Sequence, residues 1–274
     1  MFSSQIYRAF AIAETKLTCE LRGTRPSSRR RRVRRRDGLV TIPRVIRSSS
    51  VDFVAAPAFA DHPSPANVRA TEPAMPTIDY YMSLNSPWTY LGAQRFMEIA
   101  KQHKCKVNVK PARFAEVFAK TGGLPLAKRA PERQAYRMME LKRWRDHLDI
   151  PIVLQPKHFP SDEAPGTRLV IAAQLKGMDA LAFSREIGRS LWERDESIAD
   201  TIVLASAARR AGLDLSDIRA KAPSDAELDK IWDANTHEAV AQGVFGAPSY
   251  RLASGEFFWG QDRLEFLERA LAKG

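Results

Sequence analysis

Thr77-Ile78-Asp79-Tyr80-Tyr81-Met82-Ser83-Leu84-Asn85-Ser86-Pro87-Trp88-Thr89 holds a strand, a turn and the start of a helix. Ile78, Tyr80 and Met82 alternate with Asp79, Tyr81 and Ser83, the period of a half-buried strand over Thr77 to Ser83. Ser86 is a good N-cap and Pro87 a good first helical residue, because proline lacks an N–H that the first turn could not use. Trp88, Leu91, Gly92, Phe96 and Ile99 then follow helical spacing to about His103. Cys105, Val107 and Val109 alternate with Lys106, Asn108 and Lys110 until Pro111, which predicts a second strand. A strand, a helix and a strand in this order make a right-handed crossover with the two strands parallel.

From Ala112 to about Gln242 the pattern is helical, broken at Gly122-Gly123-Leu124-Pro125, Pro151 to Pro165, Gly177, Gly212 and Pro223. Helices are predicted over Ala112 to Thr121, Pro131 to His147, Pro165 to Lys176, Ala180 to Glu193, Ile198 to Ala211 and Asp225 to Gln242. Strand character returns at Ser249 to Leu252 and Phe257 to Trp259, a hairpin turning at Ser254-Gly255. A last helix starts at Asp262, with Leu264, Leu267 and Leu271 on one face. The order β-α-β, helices, β-β-α is an α/β class fold: a thioredoxin fold with an all-helical domain inserted after its second strand. Residues 75–111 and 243–274 form the thioredoxin-like domain on this reading, and residues 112–242 the insert.

In such a fold the chemistry sits where the first strand runs into the first helix, the place of a Cys-x-x-Cys pair. Ser86 and Thr89 occupy both cysteine positions, so dithiol chemistry is excluded there. What remains is a hydroxyl at the positive end of a helix, a setting that favours a thiolate supplied from elsewhere. Gly243-Val244-Phe245-Gly246-Ala247-Pro248 precedes the third strand, and in this fold that proline is cis and faces the first helix. The Ala247 N–H and C=O would then point outward and pair with a peptidic thiol in the manner of an added strand. Gln261 and Asp262 stand beside that loop, an amide and a carboxylate able to hold the ammonium and carboxylate of a γ-glutamyl group. Asp262 with Glu265 also reads as a helix cap.

Ser-Pro-Trp-Thr-Tyr-Leu-Gly (residues 86–92), Thr-Gly-Gly-Leu-Pro-Leu (121–126), Asn-Thr-His-Glu-Ala-Val-Ala-Gln-Gly-Val-Phe-Gly-Ala-Pro-Ser-Tyr (235–250) and Phe-Trp-Gly-Gln-Asp-Arg-Leu (258–264) together resemble the 2-hydroxychromene-2-carboxylate isomerase family. That family is related to kappa-class glutathione transferases and to DsbA. The resemblance covers Met75 to Gly274. It implies a glutathione-dependent isomerase of aromatic-compound catabolism, with glutathione as cofactor and a small aromatic-derived substrate. By the same resemblance Ser86 is the catalytic serine that hydrogen-bonds the glutathione sulfur, and Ala247, before the cis proline Pro248, pairs with the cysteinyl backbone. Gln261 and Asp262 correspond to the γ-glutamyl contacts and Arg133 to a cation on the glycyl carboxylate; a homodimer is also implied. The chain departs from the family at Gly123, where active members usually carry an asparagine. A kappa-like glutathione transferase and a redox-inactive peptide- or partner-binding module are the alternatives.

Net charge is +11, of which residues 1–74 carry +8, so the basic character belongs mostly to a leader. The leader holds Arg29-Arg30-Arg31-Arg32-Val33-Arg34-Arg35-Arg36 and a Pro/Ala-rich stretch, with no sustained period, and reads as disordered. It fits a nucleic-acid patch, a transit peptide, a secretory signal or an upstream extension; Met75-Pro76 directly before the first strand favours the last. The folded part calls for no nucleic acid. Cys105 is the one cysteine after the leader, which excludes a disulfide framework within that part and fits a reducing, cytoplasmic setting. No window approaches 18 apolar residues, so a membrane span is not expected. His103, His147, His158 and His237 share no metal-ligand spacing.

Overall fold

The computed structural model describes residues 75–273; the leader expected over residues 1–74 lies outside them. The elements are β1 (Thr77–Met82), α1 (Pro87–Gln102), β2 (Lys106–Pro111), α2 (Phe114–Thr121), α3 (Pro131–Leu148), α4 (Ala164–Leu175), α5 (Ala180–Trp192), α6 (Thr201–Arg210), α7 (Leu215–Arg219), α8 (Asp225–Ala241), β3 (Ser249–Leu252), β4 (Phe257–Trp259) and α9 (Leu264–Leu271). Short 3-10 turns cover Leu126–Lys128 and Gln261–Arg263. The sheet order is β2-β1-β3-β4, with β1 parallel to β2 and antiparallel to β3, and β4 antiparallel to β3. This is the thioredoxin arrangement predicted from the element order.

β1 is central, and its register sets Tyr80 opposite both Val109 and Tyr250. The alternation in β1 predicted one wet face, yet Tyr81 is as buried as Tyr80. Both faces of the sheet are covered. Ile78, Tyr80 and Met82 belong to the larger core with α1, α4, α5 and α9, while Tyr81 belongs to a smaller cluster with Phe114, Val117, Ala239 and Val244. The Tyr81 hydroxyl donates to Glu238 on α8 (3.0 Å), whose carboxylate also pairs with Lys110 of β2. A polar handle thus lets a tyrosine sit where the pattern placed a solvated residue.

The helices between β2 and β3 share the larger core with the sheet. β2 is an edge strand, and Gln174 of α4 covers it by pairing with the Val109 C=O (2.9 Å) and N–H (2.5 Å) through its side-chain amide. Arg168 reaches Asp229 through two hydrogen bonds (3.0 and 2.7 Å) and ties α4 to α8. Helix starts follow their caps: Asp179, Asp200, Asp214 and Ser224 each accept from an N–H in the first turn. Asp200 therefore starts α6 at Thr201, three residues later than the apolar spacing from Ile198 implied.

Tyr80, Phe96 and Tyr250 form a three-ring cluster with centroids 4.7 to 5.3 Å apart, joining β1, α1 and β3 behind the β1–α1 turn. Phe96 is fully buried. Phe96→Ala is expected to cost about 3–5 kcal/mol, measured as the shift in chemical denaturation; a loss below 1 kcal/mol would show that the cluster does not hold α1 to the sheet.

Candidate active site at the N-terminus of α1

Ser86 is the N-cap of α1, with extended backbone, and its Oγ accepts from the Thr89 N–H at 3.2 Å. Pro87 has no N–H, and the Tyr90 N–H is bonded to the Ser86 carbonyl at 3.1 Å. The Trp88 N–H is then the orphan of the first turn, without an acceptor among the described residues. An unpaired N–H beside a hydroxyl at a helix N-terminus is a setting for an anion. Thr89, in the second cysteine position, faces inward: it is 6% exposed, its hydroxyl has no partner among the described residues, and it lines with Ser86 a void of about 10 Å³.

The loop before β3 meets this turn. Ala247-Pro248 is a cis peptide, as predicted, and the Ser86 hydroxyl lies 3.4 Å from the Ala247 carbonyl, a long contact that leaves its proton available to a better acceptor. No acceptor for the Ala247 N–H is found among the described residues. Ser249 secures the loop by donating its hydroxyl to the Gly246 carbonyl at 2.6 Å. The Gly260 N–H donates to the Pro248 carbonyl at 2.9 Å, so Gln261 and Asp262 follow directly on the cis-proline loop. Gly260 has φ 101°, and a Cβ there would fall 2.4 Å from Asp262 Oδ1, so no other residue would fit as well. Gln261 is buried against Gly92 of α1, where an added Cβ would come within 2.7 Å of Gln261 Cβ.

The capping role read into Asp262 and Glu265 is not what forms. Asp262 lies in the 3-10 turn, Arg263 is the N-cap of α9 with no side-chain cap, and the exposed Asp262 carboxylate pairs with Arg263 at 2.8 Å. The glycine that redirects the chain removes Asp262 from the cap position. Ser86 thus touches Ala247, and Gln261 and Asp262 follow the glycine that is bonded to Pro248. Arg133 is exposed in the first turn of α3, which packs beside α1, and no hydrogen bond or ion pair joins it to the other five.

Asn85 and Glu163 escaped the sequence reading. The Asn85 side chain donates to the Ser161 carbonyl (2.9 Å) and accepts from the Ser161 N–H (3.0 Å), clamping the loop before α4 to the neighbour of Ser86. Glu163 accepts from the Ser83 hydroxyl (2.7 Å) and the Asn85 N–H (3.1 Å). Its partners are more than seventy residues away in sequence, so no local pattern announces them. Gly123 packs on Phe118: a Cβ would lie 2.6 Å from Cδ1 of that ring, so the space an asparagine would need is filled. Trp192 is fully buried against Phe159, and Trp144 packs on the core edge. Cys105 follows the far end of the 16-residue α1, about 24 Å along the axis from Ser86, and burial raises its thiol pKa. Among the described residues no group of three or more His, Cys, Asp and Glu is placed to hold a metal, and no helix is long and apolar enough to cross a membrane.

Residues 77–272 match the DsbA-like thioredoxin domain, and the chain belongs to that family. Among curated proteins it is similar to 2-hydroxychromene-2-carboxylate isomerase of Sphingobium xenophagum, 28% identical over 197 residues that span 71% of this chain and 97% of the relative. It is also similar to glutathione S-transferase kappa 1 of Caenorhabditis elegans, 27% identical over 206 residues, 71% of this chain and 90% of the relative. A solved structure of 2-hydroxychromene-2-carboxylate isomerase superimposes with TM-score 0.59 at 25% identity, covering 72% of this chain and 95% of that one. These findings bear out the resemblance carried by the four motifs.

Burial raises the Glu163 carboxyl above its ordinary range, against the opposing pull of its donors. A raised folded-state pKa means that the contribution is fully present below the unfolded value of about 4.3 and is lost as pH rises through the folded value. The stability of wild type relative to Glu163→Gln is therefore expected to fall as pH rises from about 4, read by denaturation at a series of pH values. A pH-independent difference would contradict this.

Proposed function

We propose that the protein is a glutathione-dependent isomerase of the 2-hydroxychromene-2-carboxylate type, with Ser86 as the catalytic residue. The observation that carries the proposal is the pairing of Ser86 Oγ with the Ala247 carbonyl at 3.4 Å, beside a Trp88 N–H without an acceptor and with no thiol at hand among the described residues. The isomerase and kappa-transferase relatives support it. Bound glutathione supplies a thiolate that adds reversibly to an electrophilic carbon of an aromatic-derived substrate and leaves again, so that geometry changes while no atom is gained or lost.

The residues of this chain do the rest. Ser86 turns its hydroxyl from the Ala247 carbonyl to the sulfur and donates to it, keeping its own proton throughout. The Trp88 N–H and the first-turn dipole add to the stabilisation of negative sulfur. Ala247 offers its free N–H, and the carbonyl that Ser86 releases, to the cysteinyl backbone. Gln261 and Asp262 take the γ-glutamyl end, which requires Asp262 to exchange its exposed partner Arg263 for an ammonium. Arg133 takes the glycyl carboxylate from the first turn of α3.

The kappa relatives favour a second reading, transfer of glutathione to an acceptor, with the same Ser86 seat. Thiol consumption separates the two, since an isomerase returns glutathione and a transferase consumes one per turnover. Assayed with ring-opened and ring-closed chromene carboxylates, Ser86→Ala is expected to lower kcat/KM by about 10²–10³-fold, the usual loss for one donor to a developing anion. Unchanged activity in that variant would remove Ser86 from the role.

A further inference from the structure

One turn beyond Arg133 on α3 stands Arg137, a cation for which the glutathione contacts above have no use. Arg113, Arg168 and Arg189, all half-buried, each pair with at least two carboxylates. Arg137 is equally half-buried and has no carboxylate partner among the described residues. Its polar contact is the Met138 thioether at 3.9 Å, and its guanidinium carbon sits 5.6 Å from the centre of the Phe159 ring. Burial, and after it the charge of Arg129, holds its pKa down at about 10. Arg129 likewise spends its Nε–H on the Leu124 carbonyl at 2.8 Å. A half-buried cation kept beside a second one, with no anion, is costly unless something supplies the anion.

Arg137 also borders a cavity of about 270 Å³ whose other walls include Leu126, Gln134, Met138, Leu154 and Phe159. The cavity is continuous in sequence with the serine turn: Phe159 is two residues from Ser161, which the Asn85 side chain clamps beside Ser86. A cavity walled by Leu126, Met138, Leu154 and Phe159, with the amides of Gln134 and Gln155 and a single uncompensated guanidinium, selects a ligand with a flat apolar body and one carboxylate. The guanidinium carbon lies over the Phe159 ring and Nη1 is directed at the Met138 sulfur, which leaves the remaining N–H groups for a carboxylate.

We infer that Arg137 and this cavity form a subsite for the carboxylate of a small aryl acid, the acceptor of the Ser86 site. The acceptor role rests on the glutathione reading above, whereas the binding of an aryl carboxylate does not. Cinnamate and its neutral isostere cinnamamide serve as the probes, titrated by calorimetry into the full chain with glutathione titrated in parallel. Wild type is expected to bind cinnamate about 10–100-fold more tightly than cinnamamide, the range for a hydrogen bond to a charged group. Arg137→Gln is expected to bring cinnamate down to the level of the amide, to leave glutathione affinity within about twofold, and Arg137→Lys to recover part of the loss. No saturable cinnamate binding, equal binding of acid and amide by wild type, or undiminished cinnamate affinity in Arg137→Gln would overturn the proposal. The comparison of acid with amide needs no variant and decides the matter if Arg137→Gln does not fold. Acid discrimination without glutathione binding would remove the Ser86 reading and keep this subsite; glutathione binding without acid discrimination would do the reverse.

Discussion

An α-helix cannot satisfy its own first N–H groups, and the way α1 deals with that constraint organises the region around it. Pro87 removes one donor, Ser86 meets two through its side chain and carbonyl, and the Trp88 N–H is left over. The Ser86 hydroxyl proton then needs an acceptor, and the nearest is the Ala247 carbonyl, at a distance that binds it only loosely. Three groups with unspent hydrogen-bonding capacity, the Ser86 hydroxyl, the Trp88 N–H and the Ala247 N–H, therefore stand on the two segments that the Ser86–Ala247 contact joins. Their positions depend on the cluster of Tyr80, Phe96 and Tyr250 behind them and on the clamp of Asn85 on Ser161.

The helices between β2 and β3 have a part beyond covering the sheet. α4 and α8 are tied to each other and to the sheet by Gln174, Arg168 and Glu238, so the loop before α4 is anchored at its C-terminal end. That loop carries Phe159, Ser161 and Glu163, which link the cavity beside α3 to the serine turn. On the proposed reading, the serine turn as a thiol seat and the cavity beside α3 are the two parts that a reaction between a peptide thiol and an aryl compound requires.

Much of this was legible in the sequence. The period-two runs around Ile78, Val107 and Tyr250 and the Ser86-Pro87 cap point to the strands, the crossover and the candidate site. Ser86, Ala247, Pro248, Gln261 and Asp262 came from their positions in that fold and from the resemblance. Long-range partnership was not legible. The burial of Tyr81 depends on Glu238, and the position of Asn85 depends on Ser161 and Glu163. The five-residue α7 is too short to show a period. Asp262 matched a capping pattern because no local rule registers that Gly260 turns the chain first. Arg133 and Arg137 look alike as letters, and what separates them is that one is exposed while the other faces a cavity without a carboxylate.

The N-terminus of α1 is proposed to hold the thiolate of glutathione rather than one of the chain's own. The most direct measure is the pH titration of thiolate absorbance for glutathione bound to wild type and to Ser86→Ala. A bound thiol pKa below the free-thiol value of about 8.5 is expected, with a return toward it in Ser86→Ala. A bound thiol that titrates as in water, or glutathione that does not bind at millimolar concentration, would contradict the proposal.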